Sequence, residues 1–143
     1  MQVKKVMATE SILNSILSVI VPPSLSSFSL AEVKEYRNRI EFRMEEKETN
    51  IPKCLQGKSD VVLDGFCNPV ELQSFPLKEK PVFYKVYRRR WKLSGDNQHF
   101  SNEYELHQEG VKATQEFATF LKEEVGLSLG EYNTLWGFVV DRQ

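Results

Sequence analysis

The segment Pro81-Val-Phe-Tyr-Lys-Val-Tyr-Arg-Arg-Arg-Trp91 decides the fold class. Val82, Tyr84 and Val86 alternate with Phe83, Lys85 and Tyr87. A period of two puts the first set on one face of a β-strand and the second on the other. Branched and aromatic residues, which fit a pleated surface, fill the run. Val61-Val-Leu63 and Val70-Glu-Leu72 have the same character, and Ser94-Gly95-Asp96-Asn97 reads as a turn into a short returning strand at His99-Phe100. Residues 49–106 are therefore expected to form a small, antiparallel, strand-rich and ribbon-like region.

Working outward, the period changes to that of a helix. Ile12, Leu13, Ile16, Leu17 and Ile20 predict an amphipathic helix from Thr9 to about Val21, stopped by Pro22-Pro23. Ser29 and Glu32 form the S-x-x-E signature of a capping box, with Phe28 and Val33 placed as a hydrophobic staple. This predicts a second helix from Ser29 to about Glu48, lined by Leu30, Val33, Ile40 and Met44. Past the strands, Val111, Thr114, Phe117, Ala118, Leu121 and Val125 predict a helix from about Glu109 to Gly126. Ser128 and Glu131 repeat the capping signature ahead of Tyr132, Leu135, Trp136 and Val139. The expected fold is α+β in a single domain over 1–143: two N-terminal helices (1–48), the strand-rich middle (49–106) and two C-terminal helices (107–143).

A chain of 143 residues has room for one sizeable core. Nine Phe, five Tyr and two Trp give it an aromatic load that disordered chains lack. The formal net charge of −1 argues against a surface that is basic throughout, so any anion-binding patch must be local. The longest apolar run, Ile16 to Val21, is too short to cross a bilayer, and no membrane partner is expected. Residues 1–8 carry positive charge, but Pro22-Pro23-Ser24 makes a poor signal-cleavage site. Two cysteines, Cys54 and Cys67, are read as free thiols, which suits a cytoplasmic protein.

One stretch stands apart in charge. Lys85, Arg88, Arg89, Arg90 and Lys92 bring five cations into eight residues without an acid, interleaved with Tyr87 and Trp91. Such a run suits contact with phosphate, with aromatic packing alongside, and Lys85, Arg88, Arg89, Arg90, Trp91 and Lys92 are the candidate DNA-binding residues. A solvated hairpin edge kept positive against edge-to-edge association is the other reading. Arg88 and Arg90 are expected to share one strand face, with Arg89 on the other.

Metal and catalytic chemistry find less support. Cys54 and Cys67, and likewise His99 and His107, lack the close spacing of paired zinc ligands, so no metal and no cofactor are expected. The sequence has no G-x-S-x-G, no glycine-rich phosphate loop and no H-E-x-x-H, which argues against an enzyme. Gly126 to Trp136 has the outline of a helix-turn-helix centre, though two packed helices joined by a capped turn are the favoured reading, since too few residues follow Trp136 for a turn and a full recognition helix.

Pro52-Lys-Cys54-Leu-Gln-Gly57, followed by Ser59-Asp-Val-Val-Leu-Asp-Gly65, resembles the first knuckle of the zinc ribbon near the N-terminus of many insertion-sequence transposases. Tyr87 to Ser101 is similar to that family's second knuckle. Of the four ligand positions, only Cys54 holds a ligand, while Gly57, Leu93 and Asp96 hold the others. The resemblance implies a degenerate zinc ribbon in a small DNA-associated protein related to mobile-element transposases, contacting phosphate through the basic hairpin. The alternative is a non-enzymatic protein–protein interaction or regulatory module. Its expected partner, or a second copy, would meet the C-terminal helices.

Overall fold

Two residues at the end of a tight loop decide how the central sheet is built. Tyr36 donates its backbone N–H to the carbonyl of Arg39 at 2.8 Å, closing a hairpin between β1 (Phe28–Glu35) and β2 (Ile40–Glu46). The computed structural model describes residues 2–140, with side chains from residue 9 onward; the basic N-terminal side chains 1–8 and residues 141–143 lie outside the description. The hairpin overturns the second predicted helix. A helix over 29–48 would put Phe42 on the side opposite Ile40 and Met44, whereas a strand sends Ile40, Phe42 and Met44 to one face together. All three are buried.

The sheet grows by two further pairings. After β3 (Val61–Phe66), the strands β4 (Val70–Leu77) and β5 (Lys80–Tyr87) form a second hairpin, turning through Lys78 and Glu79 at φ 54° and 60°. Two consecutive left-handed residues match the twist of a two-residue hairpin turn. β2 then lies parallel to β5, and the order is β1-β2-β5-β4. Its inner face carries Phe28, Ile40, Phe42, Met44, Leu72, Val82, Tyr84 and Val86, covered by Leu25 and Leu106. Burying a Met or Leu of this kind stabilises by about 1.5–3 kcal/mol, so this layer forms the principal core.

The strand expected over Pro81 to Trp91 is two strands. Tyr87 still pairs with Glu45, but the carbonyl of Arg88 accepts a hydrogen bond from Cys67 N–H at 2.9 Å. From there β6 (Arg89–Leu93) joins β3 in a separate two-stranded sheet. Trp91 exchanges backbone hydrogen bonds with Phe100, so the returning strand at 99–100 is a single bridge.

One helix precedes the sheets and two follow. α1 (Gln2–Ile20) begins earlier than Thr9, and Ile12, Leu13, Ile16 and Leu17 are exposed along it; Ile20 at its end and the following Val21 pack on the core. At the other end, α2 (Gln115–Phe120) starts later than Glu109. Residues 112–114 instead bond to Gln73 of β4, and the Thr114 side chain caps the helix by accepting from Phe117 N–H. A wide turn over Leu121–Val125 leads to Gly126 at φ 72°, and Ser128 begins α3 (Leu129–Trp136). The predicted capping box is formed in full there. Ala113, Phe117, Ala118, Leu121 and Tyr132 make the second core. Gln73 and Asn133 join the two layers through a reciprocal pair of amide hydrogen bonds at 2.7 and 2.9 Å. The chain is thus α+β, with one N-terminal helix, six strands in two sheets and two C-terminal helices among the described residues.

Candidate nucleic-acid interface on a ribbon-like frame

The small sheet is bounded by two turns, each with a glycine in the left-handed region. In the first, Leu55 N–H bonds to Pro52 O and Lys58 N–H to Leu55 O, with Gly57 at φ 83°. In the second, Asp96 N–H bonds to Leu93 O, with Gly95 at φ 87°. Ser94 N–H donates to Asp60 O at 2.8 Å and holds the turns side by side. In a zinc ribbon such turns would present four ligands. Here Gly57 and Leu93 offer no donor atom, Cys54 is exposed, and the described residues contain no group of three or more His, Cys, Asp or Glu able to hold a metal. The residues do not fit zinc in the ribbon manner. Leu55 and Trp91 are buried in this region, so apolar packing holds it.

The basic run divides along three directions. Lys85 stands on the outer face of the main sheet, 3.3 Å from Glu41. Arg88 and Arg90 face residues 99–103. Arg88 donates to Glu103 at 2.6 Å and to the carbonyl of Asn102 at 2.8 Å. Arg90 lies 2.9 Å from His99 Nε2 and 4.0 Å from Asp64, and His99 is itself hydrogen-bonded to Asp64. Arg89 turns the other way: its backbone N–H and Nε bond to the carboxylate and carbonyl of Glu46 at 2.8 and 2.6 Å. Its guanidinium lies 4.8 Å from the centre of the Phe66 ring, which Arg43 also approaches at 5.5 Å, with Glu45 paired to both arginines. Trp91 is buried, and Lys92 has no ion-pair partner within 4 Å among the described residues.

Asp64 responds to these neighbours. Its hydrogen bond to His99, then the charges of Lys92, His99 and Arg90, hold its carboxyl below the ordinary aspartate value. Among the described residues, Asp64 is the one carboxylate within 4 Å of Arg90, and Lys92 has none at that distance.

The sequence reading missed Glu46. It is buried, accepts from Arg89 N–H, Asn102 Nδ2 and Tyr104 OH, and ties β2 to the segment after β6. Burial and this carboxylate push the Tyr104 phenol up to about 12. The signal was present: Glu46 continues the phase of Ile40, Phe42 and Met44, and an acid at an inward position needs hydrogen-bonding partners. No family model, no curated protein and no solved structure matches this chain.

Proposed function

We propose that the protein is a non-enzymatic, nucleic-acid-associated module of mobile-element type that touches phosphate through Arg90 and Lys92. The carrying observation is the division of the basic run. Lys85, Arg88 and Arg89 are occupied by Glu41, Glu103 and Glu45 with Glu46, whereas among the described residues Arg90 and Lys92, on one side of β6, have only Asp64 as a carboxylate neighbour, 4.0 Å from Arg90. The ribbon-like pair of turns that frames β6 supports the same reading. Contacts of this kind give sequence-independent affinity by displacing counterions from the backbone.

The test is retention of duplex and single-stranded DNA as a function of salt. Arg90→Gln with Lys92→Gln weakens binding to all sequences alike and flattens the log–log salt dependence by up to about two units. Arg88→Gln with Arg89→Gln has the smaller effect. A wild-type protein with no salt-sensitive retention at about 50 mM salt, where such contacts are strongest, removes the proposal.

A second reading, a protein–protein interaction module, is favoured by the apolar end of the chain. Leu135, Trp136 and Val139 are 72%, 56% and 77% exposed. Its test is capture of a partner that the Leu135→Glu, Val139→Glu variant no longer holds.

A further inference from the structure

We propose that β1 is the seam of a weak two-fold homodimer, in which the β1 strands of two copies pair antiparallel about Val33 and make one continuous eight-stranded sheet. Among the described residues, β1 is the edge of the four-stranded sheet and pairs only with β2. Every residue from 31 to 38 is exposed, with Val33 at 51% and Tyr36 at 43%. An open edge of this length offers unpaired backbone donors and acceptors to another strand.

The charges select the partner and the register. Beyond the bulge at Ala31, Glu32 lies opposite Arg43 of β2 and Lys34 lies opposite Glu41, both on the outer face. Val33 lies opposite Phe42 on the core face. A two-fold axis through Val33, normal to the sheet, keeps both cores on one side and sets Glu32 of each copy against Lys34 of the other. The two rows across the seam then read Arg43, Glu32, Lys34, Glu41 and the reverse, with the sign alternating at every strand. Centring on Glu32 or on Lys34 would set that residue against itself, and like charges directly opposite are destabilising. An edge of one sign would repel a second copy, but this edge is complementary to itself. Glu35, toward the end of the seam, is already compensated by Lys78 and Lys80 at 2.8 and 2.9 Å. A seam of about seven residues falls short of the roughly 1,200 Å² of a standard interface, so the dimer is concentration-dependent.

Sedimentation velocity of the full chain at low salt, from about 10 to 500 µM, is the test, since such a small interface associates only at the upper end. Wild type shifts from monomer toward dimer. Glu32→Lys alone and Lys34→Glu alone each raise the dimer dissociation constant about tenfold, because attractive pairs become repulsive. Mixing the two variants restores association, since one copy then presents two lysines to the other's two glutamates. Far-UV circular dichroism confirms that each variant is folded. Should either unfold, amide hydrogen exchange on wild type replaces it, and protection at 32–35 rises with concentration. A wild type that stays monomeric, a dimer indifferent to both variants, a mixture that does not recover, or exchange unchanged with concentration each overturns the proposal.

Discussion

Ser29-Leu-Ala-Glu32 and Ser128-Leu-Gly-Glu131 carry the same capping signature, and the chain uses them in opposite ways. At 128 both reciprocal hydrogen bonds form, Ser128 N–H to Glu131 Oε1 at 2.8 Å and Glu131 N–H to Ser128 Oγ at 3.1 Å, and a helix follows. At 29 the same residue types sit in β1, where Ser29 pairs with Glu45 and Glu32 with Arg43. A cap satisfies the first donors of a helix, but one turn is an unfavourable nucleus, and what lies beyond must propagate it. Beyond Ser128, Leu129, Tyr132 and Trp136 keep helical spacing. Beyond Ser29 comes Ile40-Glu-Phe-Arg-Met-Glu-Glu46, whose strict alternation buries three large side chains only as a strand. The larger apolar burial wins over the local signal.

The sharpest way to break that comparison is to remove the alternation's contribution. Met44 is fully buried in the main core, and Met44→Ala is expected to cost about 2–5 kcal/mol by chemical denaturation, the range for deleting a large core side chain. A loss below about 1 kcal/mol would mean that the β2 alternation does not hold the hairpin in place. A smaller effect is expected at Tyr104, the donor to the buried Glu46 carboxylate. Tyr104→Phe should cost about 1–3 kcal/mol by leaving a buried acceptor short of a partner.

The same tyrosine gives a pH dependence. Its folded phenol is raised from 10.0 to about 12, so the protonated form is favoured in the fold. The stability this confers is complete below pH 10 and is lost as pH rises through 12. Tyr84, raised to about 12 mainly by burial, acts in the same window. Base-induced unfolding monitored by circular dichroism should therefore fall within pH 10–12. Tyr104→Phe should make the loss of stability in that window shallower by about one proton. An unchanged slope would separate Tyr104 from the alkaline transition.

Much of the fold was legible where period and local chemistry agree. The strands at 61–66, 70–77 and 80–87 follow branched and aromatic runs, and Ser128 begins a helix as its signature indicates. The β1–β2 hairpin was misread because Leu30, Val33, Ile40 and Met44 also fit a sparse helical stripe, while the strand that β2 pairs with lies about forty residues downstream. Parallel pairing at that separation leaves no local mark. The break at Arg88 was hidden for a similar reason, since the groups that take up the backbone there, Cys67 N–H on the Arg88 carbonyl and the Glu46 carboxylate on Arg89 N–H, are distant in sequence. Within the candidate site, the opposed directions of Arg89 and Arg90 follow from alternation. The carboxylate partners of Arg88, Arg89 and Arg90, drawn from the segment after β6, from β2 and from β3 in turn, do not.

The finest prediction returns to the two serines. Ser128→Ala removes an oxygen that accepts from Glu131 N–H and leaves that donor to solvent, which costs about 1 kcal/mol. Ser29 is exposed in an edge strand and caps nothing, so Ser29→Ala should fall within about 0.5 kcal/mol of wild type, as for surface changes away from special features. Urea midpoints of the two variants, measured at one slope, read the difference directly. Equal losses would mean that both signatures act as caps, and that 28–35 spends part of its time as the helix its sequence spells. A loss confined to Ser128 would show that the second signature is silent because its backbone donors are committed to a strand.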